Sequence, residues 1–167
     1  QSIFNISDVE ETGKDFEENA ILKAKNAFTK TNISSVGDDS GLIVPAINNE
    51  PGLYSARYAG LNATDSDNRN KLISKLKDNK LESTYAYFFC CIVAVGIKGQ
   101  NEIIVCDGKV EGEVRTIERG EKGFGYDPMF YPKGYSESFA ELNSLEKNKI
   151  SHRGQALKKL MDKLNKT

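Results

Sequence analysis

Two adjacent carboxylates beside glycines, Asp38-Asp39-Ser40-Gly41, are the residues of this chain whose types and spacing most directly suit chemistry. A divalent cation such as Mg²⁺ is held by one or two carboxylates, with water and phosphate oxygens completing its octahedron, and a carboxylate pair at a strand end fits that demand. If the pair lies in extended backbone, the two side chains face opposite ways. They then form no proton-sharing dyad; one faces a ligand and the other supports the loop. An Asx turn, with Asp and Ser satisfying loop backbone, is the plainer alternative. Lys23 is the second candidate. At about 100° per residue, Phe16, Ala20, Ala24, Ala27 and Phe28 form one apolar helical stripe, and Lys23 lies near its centre. An unpaired buried charge is costly, so the ammonium either snorkels to solvent along its stem or meets an anion such as phosphate.

Arg153 is the third. It stands in the first turn of the last helix, about 40° around from Leu157, and so leans toward the buried side. A cation there opposes the helix macrodipole by roughly 0.3–1 kcal/mol, which is tolerable if it and neighbouring His152 bind something. A surface pairing with a nearby carboxylate is the alternative. Gly120, Gly123 and Gly125 surround Phe124 and Tyr126; glycines permit close backbone approach to a ligand, and an aromatic among them can stack on a base. A plain hairpin loop would show the same composition. Asp127-Pro128 follows these glycines where a dinucleotide fingerprint would need a helix, and no P-loop occurs.

The elements that must position these groups follow from periodicity. Thr12 or Asp15 caps a helix running to about Thr31. Ile33–Val36 reads as a short strand, broken at Gly37–Gly41 and resumed by Leu42–Val44, and another strand precedes the first helix at Ser2–Ile6. Asn48–Gly60 is a turn-rich loop, and Thr64 caps a helix over about Ser66–Leu76 that buries Leu72, Ile73 and Leu76. Thr84–Ile97 is the strongest β signal, followed by a Lys98–Gln100 turn and strands at Glu102–Asp107 and Lys109–Ile117. Met129–Tyr131 is strand-like and Phe139–Lys147 mixed and helical; Ser151 starts a final helix with the inner stripe Leu157, Leu160, Met161 and Leu164. Long strands joined by short turns are not the pattern of a purely parallel doubly wound sheet. The expected architecture is mixed α/β, with helices packed on a twisted, mostly antiparallel or mixed sheet.

Composition excludes several classes. The 167 residues carry 23 Lys plus Arg against 24 Asp plus Glu, a net charge of −1, which argues against nucleic-acid coating or polybasic membrane binding. The Tyr87–Ile97 run is too short for a membrane-crossing helix, which needs about 20 residues. Cys90, Cys91 and Cys106 read as small core residues in a reducing compartment, and a single histidine rules out a multi-His metal site. The expected location is the cytoplasm, with neither nucleic acid nor membrane as partner.

Taken together, the segments are far more specific than any one alone. The chain resembles the inosine triphosphate pyrophosphatase family, the house-cleaning enzymes of non-standard purine nucleotides. The resemblance rests on Glu10-Glu11-Thr12-Gly13 with Phe16–Ala24, on Asp38–Leu42, on Pro51–Gly60, on Gly123–Phe130 and on Ser151–Ala156, in the family's order and at similar spacing. It implies an elongated, twisted central sheet with flanking helices, two lobes around a cleft, and a homodimer. It also implies hydrolysis of ITP, dITP or XTP to the monophosphate and pyrophosphate with Mg²⁺. Asp39 matches the family's proton acceptor and a metal ligand. Glu10 matches the other metal ligand, with Glu11 close behind because a one-residue shift exchanges them. Lys23 matches a phosphate contact and Ser40 a substrate contact. Phe124, Gly125, Tyr126, Asp127, Lys147, His152 and Arg153 match the nucleoside pocket. Donors such as Arg153 and Lys147 satisfy a 6-oxo group, whereas adenine presents a donor against them; a site of that kind can discriminate by about 10⁴–10⁵.

One departure stands out. The family opens with a strand followed by a Ser/Thr-Gly-Asn-x-x-Lys turn that grips the triphosphate, and no such motif occurs before Asp8. The chain is thus expected to be a single pyrophosphatase domain of two lobes lacking that strand and turn. If the molecule begins at Gln1, weak or no turnover and an association-prone sheet edge are expected. The competing readings are a Maf-like nucleotide pyrophosphatase and a catalytically inert nucleotide-binding fragment.

Overall fold

The computed structural model describes residues 6–7, 9–97 and 102–166. The expected strand Ser2–Ile6, apart from Ile6, and the Lys98–Gln100 turn lie outside the described residues. Helices α1 (Phe16–Thr31), α2 (Asp65–Asp78), α3 (Ser144–Ile150) and α4 (His152–Asn165) accompany strands β1 (Ser35–Val44), β2 (Glu50–Pro51), β3 (Ser83–Val95), β4 (Ile103–Arg115) and β5 (Phe130–Pro132). The described strands form one five-stranded sheet in the order β2-β1-β3-β4-β5. The pairs β1–β2 and β4–β5 are antiparallel. The mixed α/β class expected from the sequence is the one observed. No helix among the described residues is long and apolar enough to cross a membrane.

The chain divides into two compact units, the first holding residues 1–40, 90–108 and 153–167, the second residues 41–89 and 109–152. In the first, α1 begins where the Asp15 carboxylate accepts the Glu18 N–H at 2.8 Å and ends at Asn32, whose left-handed backbone returns its N–H to Phe28 O. Its buried face is Asn19, Ala20 and Ala24. These small residues let α1 approach β1 so closely that a Cβ on Gly37 would lie 2.6 Å from both Ala20 O and Ala24 N. That contact corrects the expected break at Gly37–Gly41. The glycine serves helix–strand approach, not a turn, and β1 runs uninterrupted from Ser35 to Val44.

The remaining core of this unit joins Cys90, Ile92, Ala94, Ile104 and Cys106 to Ala156 and Leu160, with Leu164 alongside. The expected α4 stripe is therefore rotated by about 50°. Ala156, Leu160 and Leu164 recur every fourth residue on the inner face, while Leu157 is 44% exposed and Met161 is also outside. All three cysteines are buried and free, and burial pushes the Cys91 thiol up to about 12.

In the second unit, Thr64 and Asp67 form a reciprocal capping box that starts α2 one residue earlier than expected. Its Leu72 and Leu76 meet Leu42, Val44, Phe88, Phe130 and Phe139 in one core. Phe88 and Phe130 pack edge to face at 4.8 Å, the preferred arrangement of aromatic quadrupoles. The expected loop Asn48–Gly60 holds the short strand β2 and a 3₁₀ helix at Gly52–Arg57. The two strands expected around Gly108 are one: alternate burial continues through Asp107-Gly108-Lys109, so the glycine takes an inward position in an unbroken β4. The helix expected over Phe139–Lys147 starts only at Ser144, because Asn143 caps it through Glu146 N. Phe139, Ala140 and Leu142 are instead core anchors in turns.

Candidate active site

Within the first unit, the close α1–β1 approach sets Lys23 and Asn19 against the carboxylate strand. Lys23 Nζ lies 2.7 Å from Asp39 Oδ1 and 2.7 Å from Glu11 Oε1, and donates to Asp38 O at 3.1 Å. Asn19 Nδ2 donates to the other Asp39 oxygen at 3.2 Å, its own amide oxygen being held by Gly13 N at 2.8 Å. The stripe lysine thus neither snorkels alone nor sits unpaired. It is the hub of two carboxylates and a carbonyl.

Electrostatics follow from enclosure. Asp39 is buried, and burial pushes its carboxyl above the ordinary value of 3.8 against the opposing pull of Lys23 and Asn19. Lys23 also feels burial, which works to lower it, but its hydrogen bonds and charge contacts with Asp39 and Glu11 outweigh that and hold it above 10.5. Both values therefore rise, the Asp39 carboxyl through burial and the Lys23 ammonium through its anionic partners. A less acidic carboxyl beside a locked ammonium suits proton acceptance.

Asp38 and Asp39 have separate partners, as adjacent residues of an extended strand should. Arg153 donates from Nε at 3.0 Å and Nη2 at 2.7 Å to one Asp38 oxygen. Glu10 is exposed, and the carboxylate that reaches Lys23 is that of Glu11. Ser40 Oγ is buried without a hydrogen-bond partner among the described residues.

In the second unit, the glycine-rich loop is a knot around Asp127. Its buried carboxylate accepts Phe124 N at 2.8 Å and binds the Lys147 ammonium. Gly123 is required there: its φ is +78°, and a Cβ would lie 2.0 Å from Asp127 Oδ2. Burial pushes the Asp127 carboxyl above 3.8, partly offset by Lys147. Lys147 Nζ sits 4.8 Å from the centroid of the Phe124 ring, which is 59% exposed. Tyr126 is buried with its hydroxyl donating to Ser55 O at 2.9 Å. His152 is buried and stacks on Phe88 at 4.7 Å and 13°. Of the side chains matched to a nucleoside pocket in this unit, Phe124 is the exposed one; Lys147 is 15% exposed and tied to Asp127, and Tyr126, Asp127 and His152 are buried.

Among the described residues no three His, Cys, Asp or Glu side chains converge as a protein-only metal cage. The Asp39–Glu11 arrangement still fits Mg²⁺, which takes one or two carboxylates and completes its shell with water and phosphate. Asn19 escaped the sequence reading. Its signal was a polar residue on the buried helix face, four positions before Lys23.

The described residues thus hold an acid–lysine cluster in the first unit and an aromatic–lysine loop in the second. The profile of the Ham1 family matches residues 1–163. The chain belongs to the Ham1 family. It is 46% identical over 166 residues, 99% of this chain and 82% of the relative, to a protein of Idiomarina loihiensis named dITP/XTP pyrophosphatase. A Bacillus anthracis protein of the same name is 46% identical over 160 residues, 96% of this chain and 79% of that one. The solved structure of a HAM1 protein from Coxiella burnetii superposes with TM-score 0.91 at 42% identity, covering 99% of this chain and 84% of that one. The Staphylococcus aureus Ham1 protein does so at 0.86 and 45% identity, covering 95% and 81%. These matches favour neither the Maf-like nor the inert reading.

Proposed function

We propose that this protein hydrolyses non-standard purine nucleoside triphosphates, ITP, dITP and XTP, between the α and β phosphorus, giving the monophosphate and pyrophosphate. The observation that carries the reading is the 46% identity over 99% of the chain to a dITP/XTP pyrophosphatase, and the Lys23–Asp39–Glu11 cluster supports it chemically.

Asp39 accepts the proton of the attacking water, a role favoured by its raised carboxyl pKa. Lys23 turns its ammonium to a phosphate oxygen as the substrate arrives, and Asn19 keeps the Asp39 carboxylate in place. Arg153, oriented by Asp38, adds positive charge toward the same ligand. Asp39 and Glu11 would hold Mg²⁺, with Glu10 the neighbouring alternative. A bound divalent ion neutralises triphosphate charge and polarises the attacked phosphorus. Ser40 is assigned a substrate contact by the resemblance alone. Phe124 stacks the base, and Lys147 donates to its 6-oxo oxygen, while Gly125, Tyr126, Asp127 and His152 shape and brace that surface. We further propose a homodimer located in the cytoplasm, where three free cysteines stay reduced.

The test is product analysis. With ITP and Mg²⁺, inosine monophosphate and pyrophosphate are expected in equal amounts, and a chelator should stop the reaction. Release of orthophosphate with the diphosphate would contradict the proposal.

A further inference from the structure

Helix α2 lies outside every motif that the resemblance draws on for catalysis, yet its first two turns grip the base-reading loop. Asp65 Oδ2 accepts the Gly125 N–H at 2.6 Å, and Arg69 Nη1 donates to the Gly125 carbonyl at 2.9 Å. Both polar groups of one residue are thus held by two side chains a helical turn apart, sixty and fifty-six residues away in sequence. Arg69 is itself braced, its Nε lying 3.0 Å from Glu118 Oε2. The gripped residue has φ +60°, and a Cβ there would meet nothing within 4 Å. Backbone conformation, not crowding, is what the site controls. Gly125 directly follows Phe124, so its orientation sets the direction of the exposed ring. Asp65 also bears on Asp127 electrostatically, working to raise its carboxyl pKa.

We propose that Asp65 and Arg69 are positioning residues for base recognition, holding the Gly125 peptide so that the Phe124 ring presents a fixed face to the purine. This rests on the pyrophosphatase reading for its substrate, but not for its geometry. The two residues touch no substrate; they act through Gly125. Pyrophosphate chemistry is left to Asp39 and Lys23, so binding should suffer while turnover does not.

The experiment has two arms. The chain contains no tryptophan, so Phe124→Trp in the intact protein gives a single fluorophore on the loop. Asp65→Ala and Arg69→Met, introduced separately into that background, are expected to raise the acrylamide quenching constant at least about twofold, because a released loop exposes the ring more often. The α2 cap made by Thr64 and Asp67 is left intact in both. In the parental protein, each substitution should raise KM for ITP about tenfold, the loss of one charge-assisted hydrogen bond, with kcat within about twofold. A merely structural role would lower the melting temperature and leave quenching and KM at parental values. The proposal is overturned if either readout stays at its parental value in both substituted proteins. If the parental protein releases no pyrophosphate from ITP, the functional reading fails, and the quenching arm still decides the loop geometry.

Discussion

Asp39 carries the account at the level of single residues. Asp39→Asn keeps the size of the side chain and its contact with Asn19 but removes the proton acceptor. Turnover of ITP is expected to fall about 10²–10⁴-fold, with nucleotide affinity by calorimetry little changed; retained turnover would remove Asp39 from its role. Asp127 gives a pH signature. Burial holds its folded pKa above 3.8, so the native state binds the proton more tightly than the unfolded chain. That contribution is complete below 3.8 and is lost as pH rises through the folded value. Chemical denaturation from pH about 3 to 7 should therefore show the native protein losing stability relative to Asp127→Asn as pH rises; an opposite slope would contradict the burial argument. At this scale the sequence was informative where a residue broke a pattern. Lys23 interrupts an apolar stripe, and that anomaly pointed to an anionic partner. Asn19 and Glu11 were harder to read, because an amide on a buried face and one of two adjacent glutamates become distinct only when the helix docks on the strand.

Elements explain why the residues meet. Gly37 admits α1 onto β1, and the atoms nearest a new Cβ, Ala20 O and Ala24 N, belong to helix backbone that cannot swing aside. Gly37→Ala is expected to destabilise the fold by about 1–3 kcal/mol and to weaken ITP turnover, because Lys23 and Asn19 ride on the displaced helix. An unchanged denaturation midpoint would overturn the close-approach argument. On α4, Leu160→Ala should cost about 2–5 kcal/mol, as for a buried leucine, whereas the exposed Leu157→Ala should stay within about 0.5 kcal/mol; equal costs would favour the stripe that periodicity suggested. That stripe was misread because Leu157 and Met161 are apolar yet lie on the outer face, while Ala156 contributes little hydrophobic signal. Gly37 and Gly108 were read as breaks because composition does not distinguish a glycine that turns the chain from one that sits inside a continuous strand.

At the scale of the molecule, near-neutral charge and the ordered set of motifs were legible from the start, and the family followed from them. Two lobes were implied by the resemblance, but where the chain divides was not legible, since β1, β3 and β4 each contribute residues to both units and periodicity does not change where they do. Light scattering is expected to give a particle of about twice the 18.5 kDa chain mass; a monomer at working concentration would remove the dimer from the proposal. The central claim is that a carboxylate–lysine cluster and a 6-oxo-selective loop together process deaminated purine triphosphates. The ratio of kcat/KM for ITP or XTP to that for ATP, read by pyrophosphate release in the presence of Mg²⁺, tests it most directly. A preference of about 10²-fold or more for the 6-oxo substrates is predicted, since an adenine amino group would face the Lys147 donor, and equal rates on ITP and ATP would contradict it.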